Sequence, residues 1–353
     1  MIDETDLKAG VASGILSEGQ AAALASLAHS RSGARKELAP GDEPFELFRG
    51  FNEIFIVIGL IILASGWYGV TTVMFAGSNY FDAAGMIALI SGFVLWLLSE
   101  YFIRRRRMVA PAILLSILFA LNATFGFFAI FAQPFMVAQE DFSSLSLPFL
   151  VATLTLLAYW FRFRVPFAMA LIATGAFATA LVFASTVNGS PSDPSELFLL
   201  SAGGPFAWIT LALGVIVFLV AMWFDMSDPH RVTRRSAQGF WLHIVAAPAL
   251  VNTLALTLLE GQAYLLLFVV LLVFALVAIV IDRRSFLIAG IGYSVILATI
   301  VSEGRSVPFI ILALGIILVL LGAFWERIRA RVLGLFPFLP LDRLPPSHSG
   351  KIA

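Results

Sequence analysis

Apolar runs of membrane-spanning length recur along this chain, each closed by a short polar break. A transmembrane helix needs about 20 predominantly apolar residues to cross a hydrocarbon core of roughly 30 Å. Ten segments have this character: 53–74, 83–103, 108–132, 146–161, 165–187, 205–224, 239–259, 263–281, 286–302 and 307–325. The run Leu197–Leu200 is apolar but short, which suits an interfacial or re-entrant piece. Upstream of the first span the pattern is polar. Asp3 to Val11 reads as a short helix, and Ser17-x-x-Gln20 is placed to open a second one through Ala28 as a capping box. Glu43 to Phe51 sets Phe45, Leu47, Phe48 and Phe51 against Glu43, Glu46 and Arg49, and Glu326 to Leu335 is amphipathic in the same way. Both suit interfacial helices. The pattern therefore predicts an all-α polytopic membrane protein in three parts: a cytoplasmic helical pair and linker over 1–42, a ten-helix transmembrane domain with interfacial helices over 43–336, and a proline-containing, extended or disordered cytoplasmic tail over 337–353.

Composition agrees with the pattern. Of 353 residues, 60% are hydrophobic and 12% are charged, and mean hydropathy is +0.96. Soluble domains run about 45–50% apolar and about 25% charged. The net charge of +0 leaves no global field for nucleic acid. The absence of cysteine removes disulfides, thiolate metal sites and cysteine nucleophiles.

Charge placement gives an orientation. Of the 22 basic residues, all but Arg305 lie in the two terminal segments or in alternate breaks, namely Arg104–Arg107, Arg162 and Arg164, Arg231, Arg234 and Arg235, and Arg283 and Arg284. The positive-inside rule then puts both termini in the cytoplasm. Trp160, Trp223, Trp241 and Trp325 fall beside the same boundary, where indoles anchor helices at the interface.

Little of the sequence points to chemistry. Lys8, Lys36 and Lys351 all lie outside the spans, so an intramembrane Schiff base is ruled out. Of His29, His230, His243 and His348 only His243 is intramembrane, too few for a bis-histidine haem. Acids such as Glu53, Glu100, Asp225, Glu260 and Asp282 sit at span ends, and no hydrolase, P-loop or metal-ligand motif occurs. The expectation is a non-enzyme without cofactor or metal, and a carrier built on a midplane carboxylate is disfavoured.

The residues that stand out are polar ones. Asn122 and Asn252 are the deepest, each about 13 positions into an outward span, or ~20 Å at 1.5 Å per residue. They read either as a substrate- or lipid-binding pair or as interhelical packing bonds. His243 is a third ligand-binding candidate. It lies half a turn out of phase with Asn252, so the two face different sides of one helix. Arg49, Asn52, Glu53, Asp225, Asp228, Arg234 and Arg235 form a cytoplasmic polar cluster. It is suited to docking anionic lipid or a protein partner, or serves only to set topology. Spans two to five and six to nine share one orientation and one rhythm of basic loops, and Val109-Ala-Pro-Ala-Ile113 echoes Ala246-Ala-Pro-Ala-Leu250, which points to an internal repeat.

Gly14-Ile-Leu-Ser-Glu-Gly-Gln-Ala21, the run Phe55 to Trp67, Gly41-Asp-Glu-Pro-Phe45 and the stretch Asp228 to Arg235 followed by Phe240-Trp-Leu-His243 resemble predicted bacterial inner-membrane proteins of the DUF2157 type. That resemblance implies an architecture and no activity. Two functions follow as expectations: transport or handling of a small molecule or lipid within the bundle, or a non-catalytic scaffold that recruits a partner through its cytoplasmic face.

Overall fold

The computed structural model describes residues 4–17, 20–21, 24, 51–75, 80–132, 136, 143–231, 233–301, 307–336, 338 and 343–345. The chain divides into two units, Met1–Glu46 and Leu47–Ala353.

In the first unit, α1 spans Glu4–Ala12. A turn with Gly14 at φ +71° follows, a left-handed conformation that glycine adopts without steric cost. Ser17 and Gln20 then exchange bonds. The Gln20 amide donates to Ser17 Oγ at 3.2 Å and the Ser17 amide donates to Gln20 Oε1 at 3.0 Å. Those are the two reciprocal contacts of a capping box. The rest of the expected second helix, the linker and the expected interfacial helix with Arg49 lie outside the described residues.

The second unit is a helical bundle: α2 (Phe51–Met74), α3 (Tyr80–Ser99), α4 (Ala110–Phe131), α5 (Ser146–Phe163), α6 (Ala168–Asn188), α7 (Phe206–Met226), α8 (Arg234–Glu260), α9 (Tyr264–Ile281), α10 (Ser285–Val301), α11 (Val307–Ala323) and α12 (Trp325–Leu335). A π-helix, Glu100–Arg105, continues α3. Each of the ten apolar segments is helical. Among the described residues eight helices are long and apolar enough to cross a membrane, and a ninth if the pair Ile311–Ala323 and Trp325–Leu335, bent by 82°, counts as one span. This is the build of a multi-pass integral membrane protein.

Small residues let the helices approach. A Cβ on Gly126 of α4 would come within 2.5 Å of Ala88 Cβ on α3, and one on Gly214 of α7 within 3.1 Å of Ala249 Cβ on α8. Such contacts are how spanning helices associate when neighbouring lipid is as apolar as leucine. Larger side chains fill the α3–α4–α5 centre. Phe119 stacks on Tyr159 at 4.6 Å, Trp96 meets Phe163 at 4.9 Å, and the Tyr159 hydroxyl is 2.8 Å from Ser99 Oγ.

One arrangement of helices occurs twice. The hairpins α3–α4 and α5–α6 pack with α4 against both helices of the second hairpin and against the preceding α2. The hairpins α7–α8 and α9–α10 repeat this, with α8 against α9, α10 and the preceding α6. Non-glycine residues in the left-handed region fall in corresponding breaks between helices. They are Arg107 (φ 54°) and Arg231 (φ 52°) after the first helix of each set, and Arg164 (φ 54°) and Asp282 (φ 57°) after the third. The register that matches Arg107 with Arg231 sets Pro111 opposite the start of α8, roughly three and a half turns from Pro248. The sequence echo around the two prolines is therefore not the structural one. Pro111 sits in the first turn of α4, whereas Pro248 lies inside α8.

The tail expectation needs correction at its described part. Leu344 is buried, and the Pro345 carbonyl accepts a bond from Arg329 at 2.6 Å, so these residues are docked.

Candidate functional site

Two places combine polar groups with burial or a cavity. The first lies where the basic ends of α7, α8, α9 and α12 meet. Asp225 occupies the last turn of α7 and is buried. Its Oδ2 accepts from Arg283 Nε at 2.9 Å and lies 3.0 Å from His243 Nε2, while its Oδ1 accepts from the Arg283 guanidinium at 2.5 Å. The same guanidinium donates to the Ser236 carbonyl at 2.9 Å. An ionised carboxylate only accepts, so His243 carries a proton on Nε2. The α8 backbone reaches this site because position 239 is glycine. A Cβ there would collide with Asp225 Oδ1 and lie 3.1 Å from the Ala221 carbonyl.

A second ion pair adjoins it. Arg231 donates to Asp282 Oδ2 and to the Asp282 carbonyl, both at 2.9 Å, and Trp325 Nε1 donates to Asp282 Oδ1 at 2.6 Å. Glycine would serve the backbone at 282 better. Aspartate is there for its carboxylate, which accepts from both neighbours. Arg329 of α12 is wholly buried and caps the end of α9, donating to the Ile279 and Val280 carbonyls at 3.2 and 3.4 Å. These carbonyls have no partner inside their own helix.

The network uses up much of the expected docking cluster. Asp225 and His243 are buried and bonded to one another. Asp228, also buried, accepts from the Thr233 amide at 2.7 Å and its hydroxyl at 2.8 Å at the start of α8. Glu53 does not join Asp225. It caps α4 from α2, accepting from the Val109 amide at 3.2 Å and the Ala110 amide at 3.0 Å. Asn52, Arg234 and Arg235 are exposed, and Arg49 lies outside the described residues. Of the four expected tryptophan anchors, Trp223 is exposed. Trp325 and Trp160 are buried in protein, and Trp241 packs edge-on against Phe167 at 4.6 Å. Arg283, Trp325 and Arg329 entered the sequence reading only for topology or anchoring, Asp282 only as a carboxylate at a span end, and Arg231 as part of the polar loop with Asp225 and Asp228. The signal available was an Asp-Arg pair directly after one apolar run, level with an aspartate ending another.

The second place is a groove of about 450 Å³ along α3, α4 and α5, lined by Ala88, Gly92, Phe93, Trp96, Asn122 and Thr155 among others. Its surface is mainly apolar. Asn122 is buried at its floor and donates to the Ala88 carbonyl at 2.8 Å, and its Oδ1 accepts a long bond, 3.4 Å, from the Tyr68 hydroxyl. Beyond Tyr68, a second groove of about 250 Å³ runs between α2, α3 and α4, where Trp67 Nε1 donates to Ser91 Oγ at 2.7 Å.

Asn252 does not meet Asn122. It is half-buried on α8 and makes no side-chain hydrogen bond among the described residues. Asn122 is engaged by α2 and α3, and α6 lies between α4 and α8 in the packing order.

At the non-basic end, Asp193 caps a 3-10 turn, Pro194–Leu197, by accepting from the Ser195 amide at 2.7 Å. Hydrogen bonds from the Ser195 hydroxyl and amide hold its carboxyl below the usual range. The stretch expected to be interfacial or re-entrant forms part of this connection. The Leu200 amide bonds Thr257 of α8 at 3.0 Å and Ser201 bonds Glu260 at 2.6 Å.

The chain matches no protein-family model, no curated protein and no solved structure.

Proposed function

We propose that this protein is a ten-span inner-membrane protein of the DUF2157 type, with both termini in the cytoplasm, that binds a lipid or comparable apolar molecule in the α3–α4–α5 groove without catalysing a reaction. The observation that carries this reading is the groove itself: about 450 Å³ of apolar space, open at the side of the bundle, with one hydrogen-bonding amide, Asn122, on its floor. Ligand pockets characteristically pair apolar walls with a few placed polar groups. The docking-scaffold reading has less support, because Asp225, Asp228 and Glu53 of the expected cluster are bonded inside the molecule.

The test fills the groove. Ala123→Leu adds bulk to its lining, and mass spectrometry of the purified protein reads the lipid that stays bound. The expected result is loss of co-purifying lipid at an unchanged thermal unfolding midpoint. Equal retention by the variant would remove the groove reading.

A further inference from the structure

The two like sets of helices each carry an acid–arginine pair joining the ends of their first and third helices. In the second set this is Asp225–Arg283 at 2.5 Å, with side chains 7% and 3% exposed. In the first it is Glu100–Arg162 at 2.7 Å, with side chains 29% and 43% exposed. The molecule thus contains its own comparison. In the second set Arg231, Arg283 and Arg329 are buried and bonded to Asp282, to Asp225 and to the last carbonyls of α9, on which α12 packs. In the first set Arg104, Arg105, Arg106, Arg107, Arg162 and Arg164 face Glu100 and a Glu53 already spent on capping α4.

Glu100 holds both Arg162 and Arg104, the latter at 3.3 Å, which draws the two loops together. Arg106 bonds the Tyr101 hydroxyl at 3.2 Å. Arg105 and Arg107 are exposed and make no ion pair or hydrogen bond through their side chains among the described residues. Arg164 stacks over Trp160 at 4.6 Å, which leaves its N–H groups uncommitted. The apolar groove ends at this same face. Trp96 lines it, lies one turn before Glu100, and packs on Phe163, which stands between Arg162 and Arg164.

We infer that the arginine face formed by the π-helical end of α3 and the C-terminus of α5 is a headgroup site for an anionic phospholipid whose acyl chain runs into the α3–α4–α5 groove. The inference rests on the groove reading above and names its ligand class. Unbalanced guanidinium charge at the end of an apolar channel matches an amphiphile with a phosphate head, and arginine donors suit phosphate oxygens. Clusters of four to eight basic residues beside a span favour anionic lipid by about fivefold per residue at the surface.

The test uses the full-length protein in a mixture of phosphatidylglycerol and phosphatidylcholine with identical chains, with retained lipid counted by native mass spectrometry. Phosphatidylglycerol should be retained in preference. The variant Arg105→Gln/Arg107→Gln/Arg164→Gln should lose at least about tenfold of that preference, with total bound lipid unchanged. Arg234→Gln/Arg235→Gln removes charge from the other set and should leave the preference intact. Equal retention of both lipids by the wild type would overturn the headgroup assignment and leave the groove reading standing. An equal loss in the Arg234/Arg235 variant would overturn it too, as the effect of a general field. Displacement of phosphatidylglycerol by millimolar inorganic phosphate would assign the site to a free anion instead. Retention of neither lipid would remove the groove reading and this inference with it.

Discussion

Asp225 accepts from two cationic or potentially cationic neighbours in a place with almost no access to water, and that dictates how it responds to mutation. Removing one partner of a buried pair strands the other charge, at about 3–5 kcal/mol, whereas replacing both with apolar groups is often close to neutral. Arg283→Met should therefore lower the thermal unfolding midpoint in detergent far more than the double variant Asp225→Leu/Arg283→Met. A double variant as unstable as the single one would show that Asp225 is held by His243 rather than by the arginine. Gly239→Ala drives a methyl group into the same carboxylate, and overpacking of this sort costs about 1–3 kcal/mol. The two asparagines separate at this scale as well. Asn122→Leu forfeits interhelical bonds to α2 and α3 of about 0.6 kcal/mol each. Asn252→Leu forfeits none among the described residues and should leave the unfolding midpoint unchanged or raise it. Both residues were legible in the sequence as deep amides. Their different surroundings were not, since depth along a helix says nothing of which neighbour lies opposite.

At the scale of elements, α12 shows where patterning reaches its limit. Its sequence suits a helix lying at the interface, yet Trp325, Arg329 and Leu333, spaced four apart, are the residues it buries. An arginine in the middle of a buried stripe cannot be read as core from hydrophobicity. It becomes core only because the last carbonyls of α9 need donors. Arg329→Met should keep α12 helical but speed amide hydrogen exchange over residues 279–283, where the capped turn would fray. Unchanged protection there would mean that α12 rests on α9 without holding it. The π-helical end of α3 is equally opaque in sequence, whereas the capping box at Ser17 and Gln20 was plain, because its two partners are fixed by a local spacing.

For the whole molecule, the run lengths of apolar residues located α2 to α11, since crossing hydrocarbon imposes a length on each. They did not reveal which helices touch, because the same apolar surface serves for lipid and for protein contact. The rhythm of basic loops hinted at the doubled helix set, and its packing, left-handed residues and ion pairs come from the structure. α10 has 17 residues, and α11 continues into α12 through a sharp bend. The charge asymmetry predicts that reporters fused at Ser192 and Gln262 read outside and those at Arg106 and Arg234 read inside. Two reversed reporters would break the ten-span arrangement. The docked ends of α9 and α12 also suggest where the sequence could mislead any count, since an amphipathic helix folded back on its neighbour resembles the close of a span.

The placement of Trp325 and Arg329 has a consequence for biogenesis. A ribosome delivers α7, α8 and α9 to the membrane well before α12, so Asp282, bonded to Arg231 alone, and the final turn of α9 emerge without the Trp325 and Arg329 donors. Until α12 arrives, this corner of the nascent protein offers an unsealed polar seam of the kind that insertases and membrane proteases inspect. A chain interrupted after α11 would keep that seam open, and clearance by quality control, rather than loss of insertion, would be its fate.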